Sequence, residues 1–193
     1  MKIPSTESLR LFFALWPDDA TRTGLMQLQS SIRGRLVTYR NLHLTLAFLG
    51  QQPTAVLPTA KTILTHLTSS PVTLRLDRVG YFARNRIAWT GMHSVPEALL
   101  RLQEELASAL QRHGIASDSQ QSFKPHITLA RDASLPPDLV FTPIEWRASQ
   151  VALVQSITQA EGVIYQVLAS RSLDEKCWVT DERRLGMSDH TSE

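Results

Sequence analysis

Cysteine is nearly absent from this sequence of 193 residues, where Cys177 stands alone. One thiol cannot close an internal disulfide, and zinc sites built from several cysteines are excluded. Lysine is scarce too, limited to Lys2, Lys61, Lys124 and Lys176, so most of the 20 basic side chains are arginines. Arginine suits bidentate phosphate contacts and stacking on bases, although genome composition alone produces the same bias. An excess of one charge is also missing: a net charge of +2 argues against a strongly basic surface built to coat nucleic acid. No apolar run reaches membrane-spanning length, and Met1-Lys2-Ile3-Pro4-Ser5 lacks the apolar stretch of a signal peptide. These absences point to a cytoplasmic protein without a membrane partner.

What is present is ordinary for a globular protein, with 42% hydrophobic and 20% charged residues. The length allows a sizeable core, as one domain or as two small fused lobes. Leu9 to Leu15 reads as a strand closed by Trp16-Pro17. Asp18 or Asp19 then caps a helix with Leu25, Leu28 and Ile32 on one stripe, ending near Gly34. A strand from about Leu42 to Leu49 stops at Gly50, and Thr54 to Leu67 reads as a helix with Pro58 in its first turn. Strands follow at Val72 to Val79 and Arg86 to Thr90, around a turn at Arg84-Asn85. Pro96 to His113 is a clear amphipathic helix, with Leu99, Leu102, Leu106 and Leu110 on one face and Gly114 as its stop. Further strands run from about Phe123 to Ala130, Arg147 to Ser156 and Val163 to Ser170, the last two flanking a turn at Glu161-Gly162. This mixture implies an α+β fold with antiparallel pairing. Residues 1–173 form the domain, and 174–193 form a polar tail expected to fray, in which Trp178 could dock.

One phrase occurs twice. His43-Leu44-Thr45-Leu46-Ala47 returns as His126-Ile127-Thr128-Leu129-Ala130, identical at four of five positions. In an extended chain the histidine and threonine of each copy share one face, and their apolar neighbours take the other. Either copy alone reads most simply as structural; the repetition makes a shared site the better reading. His66, His93, His113 and His190 have no comparable context. Two imidazoles can divide acid and base roles near neutral pH, and two hydroxyls can hold phosphate oxygens. A metal site is the weaker reading, because no carboxylate or third histidine lies at ligand spacing beside either copy.

The two H-x-T-L motifs resemble the signature of the 2H phosphoesterase superfamily. Asn41-Leu42-His43-Leu44-Thr45-Leu46-Ala47-Phe48-Leu49-Gly50 and Phe123-Lys124-Pro125-His126-Ile127-Thr128-Leu129-Ala130-Arg131 are similar to the bacterial RNA 2′,3′-cyclic phosphodiesterases (the ThpR/LigT family). Arg10-Leu11-Phe12-Phe13-Ala14-Leu15 extends the match. The resemblance implies a bilobal fold of two pseudo-symmetric lobes, with antiparallel sheet inside, helices outside and the site in the groove between them. It implies hydrolysis, without metal or cofactor, of RNA or nucleotides ending in a 2′,3′-cyclic phosphate, giving 2′-phosphates, with reversible 2′–5′ RNA ligation in some relatives. By the same resemblance His43 is the general acid, His126 the general base, Thr45 and Thr128 the phosphate ligands, and Phe48 and Arg131 the contacts to the nucleobase. A monomer is expected.

Two points stand against a simple transfer. Phe48 and Arg131 each lie five residues after a histidine, and strict alternation puts an odd offset on the opposite face. A core role for Phe48 and an ordinary surface charge for Arg131 are the competing readings. The C-terminus also departs from the family: Tyr165-Gln166-Val167-Leu168 is followed by Ala169-Ser170-Arg171-Ser172-Leu173, without the Arg-Trp of relatives. Competing functions keep the site but change the substrate, to 2′–5′ oligoadenylate or ADP-ribose cyclic phosphate, or make the chain a non-catalytic binder of RNA or nucleotides.

Overall fold

The computed structural model describes residues 7–118, 123–160 and 162–174. Ten strands and three helices follow one another as β1 (Ser8–Leu15), α1 (Asp19–Gln29), β2 (Arg35–Leu36), β3 (Leu44–Pro53), α2 (Leu57–Thr65), β4 (Val72–Leu76), β5 (Arg78–Phe82), β6 (Ile87–Gly91), α3 (Glu97–Arg112), β7 (Ile127–Arg131), β8 (Ile144–Ala148), β9 (Gln150–Gln159) and β10 (Gly162–Ser172). The expected α+β class holds. The main sheet has the order β10-β9-β1-β3-β7-β6-β5, with the short β2 also on β7, and β4 pairs with β8 in a second sheet.

The main sheet is two half-sheets joined at one point. Strands β1, β3, β9 and β10 form one lobe, and β2, β5, β6 and β7 form the other. Between β3 and β7 a single antiparallel pair, Leu44 with Ile127, connects them. Helix α1 packs behind β7 and β8, and α2 and α3 lie against β3, β9 and β10. Alternation along β1 separates two environments. Leu11, Phe13 and Leu15 enter the main core beneath the helices, and Phe12 and Ala14 join a smaller cluster on the other face with Ala152 and Val154.

Each helix has a local cause. Asp18 accepts the Thr21 amide at 2.7 Å and caps α1. Pro58 sits in the first turn of α2, where a missing N–H costs nothing. The leucine stripe of α3 is fully buried, and Gly114, at φ 68°, follows its end in the left-handed conformation that favours glycine.

Several expected boundaries are corrected. Gly50 does not end β3; the strand runs through it to Pro53, and Gly50 at φ 66° accommodates a bulge in the β1–β3 pairing. Val72 to Val79 is two strands in two sheets, broken at Asp77, whose carboxylate accepts the His93 amide. The strand expected from Arg147 likewise divides at Ser149 into β8 and β9. Thr54–Val56 is a 3-10 turn before α2, and the two-residue β2 carries too little pattern to be foreseen. The family's C-terminal tryptophan is missing at the end of β10. Leu173 is buried there and donates its amide to the Ser149 carbonyl at 2.7 Å. The expectation about the tail, Trp178 included, concerns residues almost wholly outside those described.

Gly80 and Trp89 pair across β5 and β6, and the indole lies flat over the glycine. A Cβ at position 80 would fall 2.1 Å from the ring. Gly80→Ala must therefore displace an indole that also stacks on Phe82 at 5.2 Å. The substitution should destabilise the fold by about 1–3 kcal/mol in denaturant unfolding. Unchanged stability would contradict this packing.

Candidate active site

The repeated phrase forms its site around the Leu44–Ile127 pair. Both histidines sit one residue before their strands, rather than within them as expected. An antiparallel pair has a local two-fold axis. The residues flanking Leu44 therefore face those flanking Ile127, with His43 across from Thr128 and Thr45 across from His126. Leu44 and Ile127 are fully buried beneath them. The four predicted residues thus share one face at the junction of the lobes.

The two rings are held alike. His43 Nδ1 lies 2.7 Å from the Asn41 carbonyl, and His126 Nδ1 lies 2.7 Å from the Lys124 carbonyl. A carbonyl only accepts, so each neutral ring carries its proton on Nδ1 and keeps Nε2 as an acceptor. The Thr45 hydroxyl lies 3.1 Å from His43 Nε2 and donates to it in that tautomer.

Aromatic walls surround both imidazoles. Around His43 the ring centroids of Phe12, Tyr165 and Trp16 lie at 4.8, 5.1 and 6.0 Å. Around His126, Phe82 and Trp89 lie at 5.1 and 6.2 Å. Burial in this apolar setting disfavours the imidazolium in both. It pushes His43 down to about 4, aided by the positive charges of His126, Arg131 and Arg22 and opposed by the Asn41 carbonyl. His126 is lowered from its ordinary value of 6.5, by burial first and by Arg131 second, against the Lys124 carbonyl. The ligand-free groove therefore holds two neutral imidazoles at neutral pH, each with an unprotonated Nε2, that of His43 accepting from Thr45.

Phe48 and Arg131 reach the groove through bulges. In the β1–β3 ladder, Ala14 pairs with Thr45 and Phe13 with Ala47, so Leu46 is an extra residue. In the β6–β7 ladder, Trp89 pairs with Thr128 and Ala88 with Ala130, so Leu129 is extra in the same way. Each bulge falls three residues after its histidine. One extra residue inverts the alternation beyond it, so the odd offset returns to the histidine's face. Phe48 accordingly packs beside Phe12 in the groove cluster and carries the Arg10 guanidinium 4.9 Å from its ring centroid. Arg131 is exposed, and its charge acts on both imidazoles.

The sequence reading missed Phe12, Trp16, Tyr165, Phe82 and Trp89. Their types were visible, but which of them reach a histidine depends on strand order and register. Among the described residues, no group of three or more His, Cys, Asp or Glu side chains is arranged to hold a metal ion, and no helix is long and apolar enough to cross a membrane.

The sequence pattern of the 2′-5′ RNA ligase superfamily matches residues 16–159. The RNA 2′,3′-cyclic phosphodiesterase of Escherichia coli K12 is 36% identical over 133 residues, covering 67% of this chain and 75% of that protein. The enzyme of the same name from Thermus thermophilus is 32% identical over 181 residues, covering 86% and 90%. The crystal structure of apo E. coli LigT superposes with a TM-score of 0.75 at 30% identity, covering 86% of this chain and 98% of that one, and LigT complexed with 3′-AMP gives 0.74 over 88% and 99%. On sequence and fold together, the chain belongs to the 2′-5′ RNA ligase superfamily of 2H phosphoesterases, alongside the RNA 2′,3′-cyclic phosphodiesterases.

Proposed function

We propose that the groove hydrolyses 2′,3′-cyclic phosphate ends of RNA or nucleotides to 2′-phosphates, by acid/base catalysis between its two histidines. The observation that carries this reading is the matched pair of Nδ1-anchored imidazoles on either side of one strand pair. A cyclic phosphodiester seated between them has a proton acceptor on one side and a proton donor on the other. His126 Nε2 takes a proton from water as the water oxygen bonds to phosphorus. The bond from phosphorus to the ribose 3′ oxygen breaks, and His43 delivers a proton to that oxygen. Thr45 and Thr128 donate to the non-bridging oxygens, and Phe48 and Arg131 flank the base, where an aromatic face and a guanidinium plane tolerate any nucleobase. A ribose hydroxyl in place of water gives the 2′–5′ linkage of a ligation. Both histidines come from one chain, which suits a monomer.

The acid needs a proton that His43 lacks in the free protein. The substrate supplies the remedy: a phosphate anion beside a desolvated imidazole favours the charged form and raises its pKa. The sign follows from the lowered pKa values. The productive free enzyme carries one proton on the two rings, and burial holds both below the ordinary imidazole value. The value of kcat/KM should fall as pH rises from 6.5 to about 8, and kcat should hold to higher pH because bound phosphate retains the proton. A kcat/KM that climbs through that interval would contradict the assignment.

His43→Ala and His126→Ala should each lower turnover of a 2′,3′-cyclic mononucleotide by at least about 10²-fold. Turnover should survive a chelator, and the product should be the 2′-phosphomonoester. Near-full rate in either variant, or tight binding of the cyclic nucleotide without opening, would overturn the mechanism.

A further inference from the structure

Helix α1 carries two polar side chains that its packing does not explain. Arg22 is 4% exposed, and among the described residues it is the one buried charged side chain. Gln29, seven residues on, is 1% exposed. Seven residues span about two helical turns, so both lie on the same buried face. Burying a guanidinium or an amide costs free energy unless every group is matched, and apolar residues fill such positions at lower cost. The amide oxygen of Gln29 has no hydrogen-bond partner among the described residues, so its burial is not fully compensated.

What the two residues touch differs from an ordinary cap or core contact. Arg22 donates through Nε to the Pro17 carbonyl at 3.0 Å and through Nη1 to the carbonyls of Leu42, at 3.0 Å, and Tyr39. Its guanidinium also lies 5.2 Å from the ring of Trp16, the indole that stacks on His43. Gln29 Nε2 donates to the carbonyls of Leu129, at 2.6 Å, and Val37, at 2.9 Å. Leu42 immediately precedes His43. Leu129 is the bulge residue that redirects β7 towards Arg131. One rigid helix thus grips the first motif at its entry and the second at its bulge. Among the described residues, the half-sheets that carry those motifs are paired in the ladder only at Leu44–Ile127.

We infer that α1 is a positioning element of the site, in which Arg22 and Gln29 hold the two motif strands in fixed register and so set the reach between the imidazoles. The inference rests on the acid/base reading of the two histidines. Both residues hold backbone carbonyls and touch no reacting atom; Arg22 also adds its charge to the field at His43, a charge that a lysine would keep. Misplacing a catalytic group by about 1 Å costs on the order of 10²-fold in rate, so small rotations of one motif against the other suffice.

Arg22→Lys keeps the charge but loses the fork and the planar face. Gln29→Met keeps the volume but loses both hydrogen bonds, and the Leu129 carbonyl retains the Val37 amide at 2.9 Å. Each variant should lower kcat on a 2′,3′-cyclic mononucleotide by roughly 10- to 100-fold, with KM within about threefold. Because both grips serve one separation, the double variant should lose little more than the worse single variant, whereas independent effects would multiply. Folding is checked by thermal unfolding, and a variant too unstable to assay is replaced by Arg22→Gln or Gln29→Asn under the same criterion. Folded variants with wild-type kcat, losses confined to KM, or losses that multiply would overturn the inference. Absence of turnover in the unaltered protein would instead refute the acid/base reading itself.

Discussion

The single antiparallel pair of Leu44 with Ile127 is the constraint on which the site depends. It joins two half-sheets that share one hydrophobic core. Its local two-fold symmetry makes a repeated sequence into a repeated geometry, with each histidine facing the other copy's threonine. A slip of either strand by one residue would turn that strand's histidine and threonine into the core and its central leucine or isoleucine out of it. Burial of Leu44 and Ile127 therefore enforces the register that the chemistry requires.

The same burial sets the electrostatics. A phosphodiesterase built on imidazoles could keep one ring protonated by placing a carboxylate beside it. In this groove the rings sit among Phe12, Trp16, Tyr165, Phe82 and Trp89, with Arg131 and Arg22 near enough to disfavour a further positive charge. On the proposed reading, the free site awaits an anion. The phosphate would replace the missing negative charge, so protonation and binding are coupled, and an uncharged ligand would gain little from the guanidiniums.

Much of this was legible before any coordinates. The repeated phrase indicated both strands and the face shared by His43, Thr45, His126 and Thr128, because a two-residue period needs only local sequence, although each strand begins one residue after its histidine. The leucine stripe of α3 and the proline in α2 were legible for the same reason. Long-range pairing was not. Phe48 and Arg131 looked misplaced because the bulges at Leu46 and Leu129 are defined only against partner strands. The breaks at Asp77 and Ser149 are likewise changes of sheet, invisible in a continuous apolar pattern. Nothing local in the sequence reveals that the Arg22 and Gln29 side chains point inward.

The proposed chemistry needs two imidazoles, locked by backbone carbonyls, that present unprotonated Nε2 atoms to a shared phosphate. Nitrogen-15 NMR of the histidine rings at neutral pH, with and without a nucleoside 2′-phosphate, tests it most directly. His43 and His126 should both be neutral and protonated on Nδ1 in the free protein, and one of them should become protonated when the phosphate binds. A ring protonated on Nε2 alone in the free protein, or no response of either ring to the bound phosphate, would contradict it.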